Sequence, residues 1–261
     1  MTDAAARIPA GARFDFWPRL FGLVTICAAL LVAEFVIRGG LINRFIVPPP
    51  SEVIQALYRV VVQEHVFRRF LATAAECLIA GSMLTLVGVA TGVAMHRYKL
   101  LQQACETWVA SIAAAPLVIM YPLFLVVFGR NALTIIMMGF IAGLPPAILK
   151  TIEGLAATRK VLVNVGKSFK LTGPQQFWKI LFPAALPTIF VGVRLGLIFA
   201  LINVVGTEFL ISYGGLGALI ADLAERYDLA GTYAAICFVI LVSVLCFVLL
   251  EKIERWLRPV D

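Results

Sequence analysis

Six stretches of this sequence stay predominantly apolar long enough to cross a bilayer: residues 20–37, 70–95, 107–128, 132–149, 184–205 and 232–250. A hydrocarbon core about 30 Å thick takes about 20 apolar residues of helix. No water reaches a backbone amide there, so each segment must satisfy its own hydrogen bonds as a helix. The chain therefore reads as all-α, a polytopic membrane bundle of six transmembrane helices. Charged residues make up 14% of the 261, against about a quarter in soluble domains. The expected layout is a short cytoplasmic segment over 1–19, a transmembrane domain over 20–250 and a cytoplasmic tail over 251–261. The first run is longer than a signal-peptide core and lacks a small-residue cleavage site, so it reads as a span.

The net charge of +7 does not point to nucleic acid, because no aromatic and basic pattern for single strands accompanies it. Basic residues flank the apolar runs, where they meet anionic lipid heads. With the N-terminus in the cytosol, inner segments carry fourteen Lys and Arg and outer segments seven. That bias places both termini inside.

Catalytic and metal motifs are missing. There is no phosphate-binding GxxxxGK[ST], no HExxH and no serine nucleophile elbow. His65 and His96 are far apart, and the five cysteines form no CxxC pair. No catalytic residue, metal or cofactor is expected, and the cysteines read as small apolar packing residues.

Two loops carry their own pattern. After Pro48, Pro49 and Pro50, Ser51 can cap a helix and Glu52 suits its first turn. Ile54, Leu57, Tyr58, Val61 and Val62 recur at helical spacing, which predicts an amphipathic helix on the outer membrane face. The second loop, 150–183, holds six basic residues and one acid. Val161, Leu162, Val165 and Phe169 make one apolar stripe. Thr172-Gly173-Pro174-Gln175-Gln176 then breaks the helix, Phe177, Ile180 and Leu181 resume the pattern before Pro183, and Leu171 is counted with the loop's candidate docking residues. An amphipathic helix with such anchors can rest on lipid or lie in the groove of a cytoplasmic partner.

Gly88 with Gly92, Gly139 with Gly143 and Gly192 with Gly196 stand four residues apart, a spacing that lets helices approach closely. Glu76, Arg194, Asn203 and Glu208 are polar groups in or near spans and are candidates for an intramembrane pathway. A charge in lipid seeks a partner, so Arg194 is expected to pair with Glu76 or Glu208.

The loop resembles that of permease subunits of type I ABC importers, in the branch that serves nitrate, sulfonate and taurine. That loop reads Glu-Ala-Ala, three residues, Gly, nine residues, Ile, one residue, Leu-Pro. Here the frame gives Asn164-Val165-Gly166, Lys170, Ile180, Phe182 and Pro183. Glu208 followed by Gly215-Leu216-Gly217, Ala184 to Pro187, Gly192-Val193-Arg194, Ala115-Pro116, Pro122 and Pro48 to Ser51 also look like the family, over about residues 45–250. The resemblance implies a MetI-like fold and coupling helices in the loop. It also implies an assembly with two cytoplasmic ATP-binding subunits, a second permease (identical or not) and an external solute-binding protein. Asn164 and Lys170 depart from the family's Glu and Gly. Lysine is disfavoured in the left-handed backbone that glycine adopts readily, so either this loop docks differently or a second, non-identical permease carries the more typical loop.

Overall fold

A computed structural model describes residues 16–43 and 46–257. Parts of the two expected cytoplasmic tails, residues 1–15 and 258–261, lie outside the described residues. The described residues are helical and contain no strand.

The chain divides into two compact units, one ending at Gln55 and one starting at Ala56. The first holds α1 (Phe16–Arg38) and the start of α2 (Pro50–Gln63). Phe21, Leu31 and Phe35 of α1 are exposed, as suits a helix whose solvent is the bilayer. Glu34 accepts hydrogen bonds from the Ser51 hydroxyl and N–H, at 2.7 and 3.1 Å, and forms an ion pair with Arg38 at 2.5 Å. Ser51 therefore tethers α2 to α1, while α2 itself begins one residue earlier, at Pro50, where a missing N–H costs nothing.

The second unit continues α2 and adds α3 (Val66–Arg97), α4 (Lys99–Ala114), α5 (Tyr121–Phe128) and α6 (Ala132–Ala156). Then come α7 (Lys160–Ser168), α8 (Gly173–Gln176), α9 (Phe182–Ile211), α10 (Leu216–Glu225) and α11 (Leu229–Leu257). On α2, Ala56 and Val60 are buried, whereas Ile54, Tyr58, Val61 and Val62 are exposed. The larger apolar residues of that helix thus face outward, as an interfacial helix requires.

Among the described residues, five helices are long and apolar enough to cross a membrane, or six when a bent pair counts as one span. That pair corrects the expected third span, which is not one helix. The α4 segment and residues Leu117–Phe128 meet at 89°. Pro116 lies at the break, between Ala115 and a short 3₁₀ turn over Leu117–Met120. A residue preceding proline is pushed out of the helical region, and Ala115 is extended, with φ −74° and ψ 137°. By contrast, Pro145, Pro146 and Pro187 lie inside α6 and α9, which run on through them.

The core is the packing of α6 against α3 and α9. Gly88 and Gly92 of α3 lie against Ala147, Ile148 and Thr151 of α6. On α9, Gly196 lies against Gly143, and Gly192 against Pro146 and Lys150, while Gly139 faces Ala200 and Val204. All three glycine pairs therefore serve packing within this chain. Leu84, Ala147 and Ala200 fill the middle of the contact, and Leu155, Ala185, Ile189 and Val193 fill the end beside the loop.

Candidate functional site

At the end of the bundle where α6 gives way to α9, the loop folds into a compact helical handle. Leu171 N–H donates to Gly166 O at 3.1 Å and Lys170 N–H to Lys167 O at 2.9 Å. These are the two reciprocal bonds of a Schellman C-cap, and Leu171 rests against Gly166 as the motif's apolar contact. Lys170 occupies the left-handed position with φ +53°. The left-handed conformation is thus adopted despite the lysine, because two backbone hydrogen bonds outweigh a cost of about 1–2 kcal/mol. Lys170→Gly is expected to tighten the turn by about 1 kcal/mol, seen as slower hydrogen exchange at the Lys170 and Leu171 amides.

The second half of the loop returns onto the first. Thr172 N–H donates to Gln175 Oε1 at 3.0 Å, fixing the start of α8 at Gly173. A wide π-turn over Phe177–Leu181 then leads into α9, with Pro183 in its first turn. Gln176 Nε2 donates to Val163 O at 3.1 Å. Ile180 packs on Gly166, where any side chain would collide with it. Phe177 roots the handle in the cluster around Leu155 and Ile189, and stacks edge-on with Trp178 at 5.2 Å.

What the handle leaves outside is apolar. Val161 is 69% exposed, Phe169 75% and Trp178 64%, with Leu162 and Val165 exposed between them. Asn164 is also exposed, and its carbonyl accepts from the Ser168 hydroxyl. Lys160, Lys167 and Lys170 border the stripe.

The intramembrane polar residues fall into separate places. Arg194 does not pair with Glu76 or Glu208, which corrects the expectation. Glu208 lies fourteen residues further along α9, about 21 Å at helical rise. Arg194 instead forms an ion pair at 2.5 Å with Glu254 of α11 and lies 5.6 Å from the ring centre of Phe247. Glu254 is 4% exposed. Removing Arg194 takes a close counter-charge from that buried carboxylate, at a cost of roughly 1–3 kcal/mol. Arg194→Met is therefore expected to lower the Tm in detergent, and Arg194→Lys, which keeps the charge, to lower it less. Asn203 Nδ2 donates to Phe199 O at 2.9 Å within α9.

Glu208 sits at the opposite end, where the chain reverses from α9 into α10. Its Oε1 accepts from the Thr73 hydroxyl and its Oε2 from Gly217 N–H, both at 2.7 Å. Leu216 N–H donates to Thr73 Oγ1 at 2.8 Å. The first amides of a helix have no partner within it, and a carboxylate is favourable there. The glycines explain the spacing: a side chain at Gly215 would strike Glu208 and Thr73, and one at Gly217 would strike Glu208 and Val205. Arg130 closes the other side of the turn by donating to Ile211 O and Ser212 O, at 2.6 and 2.7 Å. Thr73 and Arg130 were not among the sequence candidates. Their partners lie 135 and 81 residues away in the chain, so no local pattern marks them.

Residues 85–259, more than half of the chain, match the family described as "Binding-protein-dependent transport system inner membrane component". The chain belongs to that family. The bicarbonate transport system permease protein CmpB of Synechocystis sp. is 26% identical over 95% of this chain and 90% of its own length. The taurine transport system permease protein TauC of Escherichia coli is 22% identical, over 90% and 87%. Among solved structures, an inward-facing MetNI methionine ABC transporter chain superposes with a TM-score of 0.65 at 18% identity, covering 74% of this chain and 96% of that one. The protein is thus a permease subunit of the type I ABC importer class, in the nitrate, sulfonate and taurine branch. It is a non-catalytic, multi-pass inner-membrane subunit with a MetI-like fold.

Proposed function

We propose that this chain forms one half of the translocation pathway of an importer and takes its power from two cytoplasmic ATP-binding subunits gripping the 150–183 handle. The observation that carries the reading is the exposed stripe of Val161, Val165, Phe169 and Trp178 on a segment that is otherwise internally bonded. A monomeric soluble surface seldom leaves such a patch uncovered. In this arrangement both termini and the handle face the cytosol, in line with the fourteen-to-seven bias of basic residues. A second permease, identical or not, completes the pathway, and an external solute-binding protein delivers the cargo. ATP-driven closure of the cytoplasmic subunits moves the handles and rocks the two halves between inward and outward states.

The cargo read from the branch is a small anion such as nitrate, a sulfonate or taurine. A relative named for bicarbonate is consistent with that chemistry.

The test is uptake into liposomes that hold the permease with and without its ATP-binding subunits, with the binding protein supplied outside. The reading expects uptake only when ATP and the ATPase are both present. Undiminished uptake without the ATPase would make the chain a secondary transporter or channel. Cysteine labelling at Lys167 from the cytosolic side checks the orientation, and labelling from outside the cell would overturn it.

A further inference from the structure

Next to the capped α9–α10 turn lies an acid that the turn does not use. Glu76 stands on α3 one turn beyond Thr73 and is 6% exposed. Its carboxyl lies within electrostatic and hydrogen-bonding reach of the Glu208 carboxyl. One of its oxygens, Oε2, is buried and has no hydrogen-bond partner. A buried polar atom left without a partner costs about 1–3 kcal/mol, so it calls for an occupant.

The neighbouring donors show which occupant fits. Both oxygens of Glu208 already accept, one from Thr73 and one from Gly217. An ionised carboxylate fits that pattern and has nothing to donate. A second ionised carboxylate beside it, away from water, would be strongly repelled. The arrangement closes when one proton resides on Glu76, which then becomes a donor toward Glu208. Pairs of carboxyl groups that share a site divide their protons in this way.

Among the described residues, a cation reaches the pair from Arg69, whose field acts on Glu208. From α3 come Arg69 and Cys77, and Arg69 is held by Asp222 of α10 at 2.6 Å. Arg130 is engaged by the carbonyls of Ile211 and Ser212. The part of α6 from Ala132 to Leu149 contains no titratable side chain, Cys246 of α11 acts on Cys77, and Tyr121 packs against the same core cluster as Cys77.

An approach to the pair is also present. A cleft of about 390 Å³ opens beside the turn, with Arg68, Arg69, Ala72 and Gly214 in its lining. Ala72 lies one helical turn before Glu76. Gly214 has φ +84°, and a side chain placed there would come within 3.8 Å of Glu76 Oε1. Gly214 thus both lines the cleft and borders the acid.

We propose that Glu76 and Glu208 form a proton-binding pair filled from this cleft, and that the single bound proton keeps the α9–α10 turn docked on α3. The inference rests on the geometry of the turn and is independent of the cargo and of the ATPase reading. Loss of the proton sets two like charges side by side under the turn. Docking is therefore complete at lower pH and weakens as pH rises.

The test uses the full chain in lipid nanodiscs. Infrared spectra at neutral pH should show one protonated buried carboxyl that is missing from Glu76→Gln. On raising the pH, that signal and the hydrogen-exchange protection of the Leu216 and Gly217 amides should fall together. In Glu76→Gln the amide donates permanently to Glu208, so protection should no longer depend on pH. Absence of the carboxyl signal from the wild type at neutral pH, or its persistence in Glu76→Gln, would overturn the proposal. Should Glu76→Gln fail to fold, the wild type can be treated with dicyclohexylcarbodiimide, which attacks protonated carboxyls in apolar surroundings. Mass spectrometry should find the adduct on Glu76, increasing as pH falls. An unmodified Glu76 at every pH at which the protein stays folded would equally sink the proposal.

Discussion

A Gly143→Leu substitution is expected to abolish recovery of monodisperse protein from membranes, whereas Gly22→Leu should leave recovery unchanged. In lipid, no hydrophobic force drives one apolar helix against another, so close van der Waals packing must hold the bundle together. Gly143 of α6 and Gly196 of α9 provide it, each facing the other's carbonyl across the crossing. A side chain at Gly143 would meet the Gly196 backbone and the Leu84 side chain. Backbone atoms cannot rotate away as a side-chain tip can. The cost should therefore exceed the upper end of ordinary overpacking, about 3 kcal/mol. Gly22 on α1 has open space around it, and leucine there merely adds apolar surface to an exposed face. Size-exclusion profiles in detergent read the difference, and a normal profile for Gly143→Leu would mean that the crossing is much looser than described.

The spans were legible because hydrophobicity is a local property of sequence, and a bilayer demands it over a fixed length. The glycine pairs were legible for the same reason, as their four-residue spacing is the repeat of one helix face. Less could be read wherever a tertiary partner decides. Pro116 announced an irregularity, yet nothing local distinguishes a kink from the 89° break it produces. The α10 helix went unread because ten residues after a glycine-rich turn leave little periodicity to detect. The Arg194 pairing was misread for a related reason. Need for a partner was inferred correctly, but its identity depends on how α11 returns along α9, and Glu254 lies sixty residues downstream.

The loop shows both sides of this limit. Its apolar stripe and its break at Thr172 follow from residue order alone, and the structure places them on a handle and at the start of α8. Lys170 was expected to disturb the turn. Local propensity was outweighed there because the Schellman bonds and the Gly166–Ile180 contact fix the backbone from both sides. A lysine at such a position stores mild strain and adds a cation beside the exposed stripe, so it changes the border of that stripe more than its shape.

That face carries the other large expected effect. Phe169→Asp should weaken capture of the ATP-binding subunits at least a hundredfold while leaving insertion and folding intact. The side chain is 75% exposed and projects from the C-terminal end of α7, so its loss removes little from the chain's own core. In the proposed complex it is the aromatic anchor of the handle, the kind of residue whose truncation costs 2 kcal/mol or more at an interface. Asp adds to that cost, because a carboxylate buried against a partner without a cation is desolvated for nothing. About 2.8 kcal/mol is a hundredfold in Kd. Co-purification through a tag on the ATPase, beside a Tm measurement on the permease alone, separates docking from folding. Retained capture with an unchanged Tm would move the docking face elsewhere on the handle, and the exposed Trp178 would be the next residue to test.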